Sequence, residues 1–245
     1  MWPHNIRYQN LMPCAPKGHQ PTWLFDLDNT LHDASKGIFK QIHLCMNQAI
    51  QTLLNVDQVK ANKLRIKYWH RYGATLIGIV RHHNVCPHEF LFRAHHFPIA
   101  PYIHYETGLN QALARLPGEK IILTNAPLTY ARTVLQYAGI SHHFQSIMSI
   151  ESMQRAIYFR PKPSVAAMQQ ALADLGICAH QTIFIDDTPK NLKSAKQLGI
   201  YTVLFDHPSS PGVTHTAGRP LYVDMRVRSI RELSLRLHEI SGINK

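Results

Sequence analysis

The sequence predicts an α/β protein built on a parallel sheet, with an all-helical segment inserted after the first strand. Three observations carry this prediction. Short apolar runs such as Trp23-Leu24-Phe25 and Ile183-Phe184-Ile185 show no polar alternation, as expected of strands covered by helices on both faces. Beyond residue 106 such runs alternate with amphipathic helical stretches, the pattern of right-handed crossovers between parallel strands. The stretch between the first strand and the second, residues 35–103, reads as helix throughout.

Each element has a local reason. Residues 1–20 mix prolines and polar residues with no period, so they are expected to form a loose arm. The first strand is expected at Thr22 to Asp26, and Asp33 and Ser35 offer capping oxygens to a helix carrying Ile38, Ile42, Cys45, Ala49 and Leu53 on one stripe. Further helical stretches run from Asp57 to Tyr72, from Thr75 to Val80 and from Pro87 to Phe97. A helix over Glu106 to Leu116 stops at Pro117-Gly118, and Lys120 to Asn125 is the second buried strand. Pro127 opens the next helix and Gly139 closes it; Ser146 to Ser149 is a short third strand. Ser164 caps a helix ending at Gly176, Thr182 to Asp187 is a strand, and Thr188-Pro189 starts a helix that finishes at Gly199. Tyr201 to Phe205 is the last expected strand. A Pro/Ser/Gly-rich loop follows, then a helix whose Ser229 and Glu232 have capping-box spacing.

Composition sets outer limits. The chain has 245 residues, 45% hydrophobic content and a formal charge of +11, which favours anionic partners without choosing between phosphorylated metabolites and nucleic acid. Cys14, Cys45, Cys86 and Cys178 form no C-x-x-C pair, which points to reduced thiols in a cytoplasmic protein and to no zinc site. No apolar run is long enough to span a membrane, and the first residues do not make a secretory signal.

The chemistry concentrates at strand ends. The first strand stops at Asp26-Leu27-Asp28, two carboxylates close enough to require either a cation between them or a proton on one. Side chains alternate along a strand, so Asp26 and Asp28 share one side. The second strand ends in Thr124-Asn125, two neutral hydrogen-bonding side chains suited to phosphate oxygens. Phe159-Arg160-Pro161-Lys162-Pro163 stiffens the backbone around one cation, Lys162, with Arg160 a weaker second. Asp186-Asp187 closes a later strand in paired carboxylates.

These four sites, in this order, resemble the four signatures of the haloacid dehalogenase superfamily, most of whose members are phosphatases. The resemblance implies a Rossmann-like three-layer core at 21–34 and 104–245 with a helical cap at 35–103. It also implies Asp26 as the nucleophile that forms an aspartyl-phosphate and Asp28 as the acid and base for leaving group and water. Thr124 and Asn125 would bind phosphate, and Lys162 would neutralise it. Asp26, Asp186, Asp187 and the carbonyl of Asp28 would hold Mg2+, with Asn191 behind them where many relatives carry another Asp. Asp28 argues against dehalogenation, which has no leaving oxygen to protonate.

The phrases Asp-Asn-Thr-Leu, Lys-Ile-Ile-Leu-Thr-Asn-Ala, Phe-Arg-Pro-Lys-Pro and Tyr68-Trp69-His70-Arg71-Tyr72-Gly73 resemble the pyrimidine 5'-nucleotidase branch, which implies a nucleoside monophosphate substrate. Tyr68 and Tyr72 lie one helical turn apart and could stack on a base, with Arg81 near the phosphate or sugar. The rivals are a phosphatase or mutase acting on a sugar phosphate or phosphoglycolate, and a basic nucleic-acid-binding protein on the same fold. No RNA-binding signature interleaves aromatic with basic residues on a recognisable strand.

Overall fold

The computed structural model describes residues 20–155, 158–207 and 220–240, so the expected N-terminal arm and most of the loop after His207 lie outside the described residues. β1 (Thr22–Phe25) is central in a six-stranded sheet of order β3-β2-β1-β6-β7-β8. Its partners are β2 (Lys120–Leu123), then β3 (Ser146–Met148), on one side, and β6 (Thr182–Asp186), β7 (Tyr201–Phe205) and β8 (Met225–Val227) on the other. Every pairing is parallel, with Phe25 opposite Ile122 and Ile185. The chain winds outward from β1 in one direction and then in the other, which makes the carboxyl end of β1 the switch point where such sheets open a crevice.

Strand alternation splits the core between the two faces. Trp23, Phe25, Ile122, Ile183, Ile185 and Val203 join the cluster covered by α5 (Leu109–Arg115), α6 (Leu128–Tyr137) and α9 (Ile230–Leu235). Leu24, Leu123, Phe184 and Leu204 join the cluster covered by α7 (Val165–Leu175) and α8 (Pro189–Lys196). Between β1 and α5 run α1 (Ile38–Leu54), α2 (Gln58–Tyr72), α3 (Thr75–His83) and α4 (Pro87–Ala94). These helices share a cluster of their own, in which Ile50, Ala61, Tyr68, Ile79 and Phe90 pack with Ile150 and Phe159 from beyond β3. No described helix is long and apolar enough to cross a membrane.

Several expectations change at element ends. Asp33 and Ser35 do not cap α1; its N-cap is Gly37, whose φ of 143° and close approach to the Tyr102 ring both exclude a side chain. Glu106 lies outside α5 and instead accepts hydrogen bonds from the Ile230 and Arg231 amides, so it caps α9 from 124 residues away in sequence. Ser229 accepts from the Glu232 amide as expected, while the Glu232 carboxylate reaches back to Arg228 N rather than to Ser229 N. β8 and the small hairpin of β4 (Gln154–Arg155) and β5 (Tyr158–Phe159) are not predicted by the sequence; each strand is two or three residues long, too short to show a period. Cys45 and Cys86 are free thiols, but Cys178 is disulfide-bonded, which departs from the expectation of reduced cysteines; Cys14 lies outside the described residues.

Candidate active site

The crevice beyond β1 is lined by side chains from three adjacent strands and one loop. Asp26 continues the ladder, its amide donating to the Ile185 carbonyl at 2.9 Å, so its carboxylate emerges beside the end of β6. The chain then turns tightly, with the Leu31 amide bonded to the Leu27 carbonyl and Asn29 in the left-handed region at φ 59°. Asn tolerates that conformation better than most residues. Here it is fixed by Ser35, whose amide and hydroxyl both bond the Asn29 side chain at 3.1 Å. Ser35 therefore serves this turn and not the helix it was expected to cap.

Lys162 lies at the centre of the charge. Its Nζ is 2.7 Å from Asp26 Oδ1 and 2.8 Å from Asp186 Oδ2, and it sits over the Phe184 ring. Burial alone would favour the neutral amine, but the charges and hydrogen bonds of Asp186 and Asp26 outweigh it and hold the proton well above the ordinary lysine range. The backbone of Lys162 is clamped at both ends by the Asn125 side-chain amide, which accepts from Lys162 N at 2.9 Å and donates to Lys162 O at 3.0 Å. Asn125 was expected to bind phosphate; what its side chain does in the structure is hold the lysine in place. Thr124 is buried at the end of β2, where its hydroxyl accepts from the Ala126 amide at 3.0 Å and keeps its own proton to donate.

Asp186 is fully buried and well supplied with donors. Besides Lys162 it accepts from the Thr188 amide at 2.8 Å and from Asn191 Nδ2 at 2.9 and 3.0 Å. Asn191 thus stands behind the carboxylates, against Asp186. Asp187 is also buried and accepts from Thr188 Oγ1 at 3.2 Å. One oxygen each of Asp26, Asp186 and Asp187 lies within 4.8 Å of the others. Among the described residues three buried carboxylates converge beside one ammonium, a cluster of hard oxygen donors that fits a divalent cation such as magnesium. Burial is the main reason that the Asp26 carboxyl is pushed well up; Lys162 opposes this, and Asp186 and Asp187 add to it.

Asp28 has a different environment. Its Oδ1 accepts from Tyr130 OH at 2.6 Å and from His32 Nε2 at 2.8 Å. Burial would raise this carboxyl, but the His32 and Tyr130 hydrogen bonds and the nearby histidines bring it below the usual range. The same contact, with burial, pushes the Tyr130 phenol well up, so Tyr130 stays a donor. His95, at the end of α4, meets the Tyr130 ring edge-on at 5.3 Å. The sequence does not single out His32, Tyr130 or His95. Tyr130 lies 102 residues from its partner, inside a stretch legible only as helix, and His95 is one of 17 histidines with no distinguishing neighbour.

The expected substrate residues of the helical segment make their contacts within that segment. Tyr68 is buried, its hydroxyl bonded to His83 at 2.7 Å, and its ring lies where a Cβ on Gly78 would sit at 2.1 Å. It is packing inside the helical cluster, so it offers no open face to a base. Tyr72 is partly exposed and bonded to His82, with the Arg71 and Arg81 guanidinium groups 5.4 and 6.0 Å from its ring centre. Arg160 is exposed.

Comparison with known proteins agrees with this architecture. Residues 23–205 match the model of the haloacid dehalogenase-like hydrolases. Among curated proteins, the chain is 23% identical over 208 residues to Phosphate metabolism protein 8 of Saccharomyces cerevisiae, covering 77% of this chain and 62% of the yeast protein. It is 25% identical over 191 residues to Probable phosphatase IndB of Dickeya dadantii, covering 75% of this chain and 80% of that one. Among solved structures, a phosphatase of the same superfamily from Thermococcus onnurineus superposes with a TM-score of 0.60 at 15% identity, covering 91% of this chain and 98% of the other. With a family match over most of its length and the matching fold, the chain belongs to the haloacid dehalogenase-like hydrolases.

Proposed function

We propose that the protein is a magnesium-dependent phosphatase that hydrolyses small phosphomonoesters through an aspartyl-phosphate, with nucleoside 5'-monophosphates, pyrimidine ones foremost, as substrates. The observation that carries this reading is the buried set of Asp26, Asp186 and Asp187 around the Lys162 ammonium. Asp26, Asp187 and Asp186, with the Asp28 carbonyl, would hold Mg2+, which when bound offsets the charge of the phosphoryl group and of its attacking carboxylate. Asp26 attacks phosphorus in line as the bond to the leaving oxygen breaks. Asp28 protonates that oxygen and then takes a proton from the water that cleaves the acyl phosphate. Lys162 neutralises charge, and the Thr124 hydroxyl donates to a phosphate oxygen.

Asp28 rests as the carboxylate, so the acid half of its work requires a proton acquired as the dianionic phosphate settles beside it. The helical segment 35–103 would act as a cap that excludes water and selects the leaving group, with Tyr72 and Arg81 remaining as its expected contacts because Tyr68 is buried. The phosphatase class is supported by the similarity to the Dickeya phosphatase, and the pyrimidine preference by the Asp-Asn-Thr-Leu and Phe-Arg-Pro-Lys-Pro phrases.

Phosphate release from a panel of nucleoside, sugar and glycolate monophosphates, with and without magnesium, tests the reading. Magnesium-dependent release that favours UMP or CMP is expected. Preference for a sugar phosphate would overturn the substrate, and no release from any member would overturn the activity.

Because both donors to Asp28 bind the same oxygen, they leave the other oxygen for proton transfer. Tyr130→Phe is therefore expected to lower kcat by roughly tenfold with KM little changed. Steady-state kinetics on the best substrate decide this; a raised KM at unchanged kcat would place Tyr130 against bound substrate instead of behind Asp28.

A further inference from the structure

The positive charge of the chain is not spread evenly. Residues 38–83, the span of α1 to α3, hold seven Lys and Arg residues against one acid, Asp57, so this stretch contributes +6 of the total +11. α2 alone has five, Lys60, Lys63, Arg65, Lys67 and Arg71, with no Asp or Glu. Lys60, Lys63, Lys67 and Arg71 are exposed, and among the described residues none of them is in an ion pair.

Flat and apolar side chains are interleaved with these cations. Trp69 is 54% exposed and Ile66 39%. The Trp69 ring lies 4.8 Å from that of exposed His70. At the carboxyl end of α2, Tyr72 carries Arg71 and Arg81 near its ring and His82 on its hydroxyl. At helical spacing Lys60, Lys63, Lys67, His70 and Arg71 fall on one arc; Val59 and Ile66 border it, and exposed Trp69 lies about a quarter turn beyond His70 with its ring against the His70 ring. The adjoining face of α2, through Ala61, Leu64 and Tyr68, is consumed in the helical cluster.

We propose that this outer face of α2 binds single-stranded nucleic acid without sequence preference. Cations at intervals of three and four residues follow a phosphate backbone, and exposed Trp69 and His70 give unpaired bases a surface to stack on. A membrane surface is the other anionic partner of a basic helix, but insertion needs a continuous apolar face, and with Ala61, Leu64 and Tyr68 packed in the helical cluster α2 exposes only Val59, Ile66 and Trp69. The residues of this surface are not among those of the carboxylate site, and the proposal does not depend on the phosphatase reading.

Fluorescence anisotropy with a labelled 20-nucleotide oligo(U), over a salt series, tests the proposal on the full chain. Wild type is expected to bind, with a Kd that rises steeply with salt. Lys60→Glu, Lys63→Glu and Lys67→Glu together should weaken binding by tenfold or more and flatten the log–log salt slope by roughly 2. Trp69→Ala should weaken it by about tenfold while leaving that slope unchanged. Thermal unfolding and magnesium-dependent turnover of p-nitrophenyl phosphate report that the variants are folded. No binding by wild type, binding indifferent to these substitutions, or lysine-dependent sedimentation with phosphatidylserine vesicles in place of oligonucleotide binding would each overturn the proposal.

Discussion

Replacing Asp26 with Asn is expected to lower turnover by at least about a thousandfold while making the metal-free protein more stable at neutral pH. The two effects share one cause. Burial, with Asp186 and Asp187 nearby, raises the Asp26 carboxyl in spite of Lys162. A carboxyl whose folded pKa exceeds its unfolded value contributes stability below the unfolded value, near pH 4, and that contribution is lost as pH rises through the folded value. At pH 7 the wild-type site therefore opposes folding, and Asn removes the opposition, a gain of about 1 kcal/mol. The gain should shrink as pH falls toward about 4 and be absent below it. Magnesium should raise the melting temperature of wild type and have far less effect on the variant, because a ligand oxygen is lost. Melting curves at several pH values, with and without magnesium, check this; a variant less stable than wild type at pH 7 would contradict the electrostatic account.

Replacing Lys162 with Met acts in the opposite direction. The ammonium is 2.7 and 2.8 Å from two buried carboxylates, and Met keeps the apolar stem over Phe184 while removing the charge. Breaking a buried ion pair from one side leaves charge without compensation, a cost of about 3–5 kcal/mol. The cost should fall at acidic pH, where the carboxylates take protons instead. Turnover should drop by about a hundredfold or more. Arg should not rescue it, since a planar guanidinium cannot occupy the space of a compact ammonium between Asp26 and Asp186. Urea unfolding at pH 5 and pH 8 measures the effect; equal stability of variant and wild type at pH 8 would show that Lys162 is not the counter-ion of the cluster.

The parts of this protein that can be read from its sequence are those whose signal is local. β1, β6 and β7 declare themselves by unbroken apolar runs, and the caps of α2, α7 and α9 by a single oxygen-bearing residue before each helix. Asp26, Asp28, Asp186 and Asp187 stand out because a buried strand rarely ends in paired carboxylates unless a cation meets them, and Lys162 because two prolines fix its backbone. What is not legible depends on where a side chain turns after the backbone is placed. Asn125 could face either the crevice or the neighbouring loop, and it faces the loop, because the Lys162 peptide offers both a donor and an acceptor. Glu106 fits a helical pattern, yet its carboxylate is used at the start of α9. Tyr68 matches a substrate-contacting motif, and the close approach of Gly78 makes it packing.

The pairing of β1 directly with β6 has a consequence for how the protein is made. Phe25 and Ile185 are neighbours in space but 160 residues apart along the chain, so the loop they close is long and its entropy must be overcome before the two strands meet. On the ribosome, a chain that has emerged only as far as α7 already has Asp26, Asp28 and Lys162 but lacks Asp186 and Asp187. At that stage the pocket has its lysine counter-ion and only one of the three clustered carboxylates. Synthesis thus completes the anionic cluster late, when the strand that carries its last two members can be inserted beside β1.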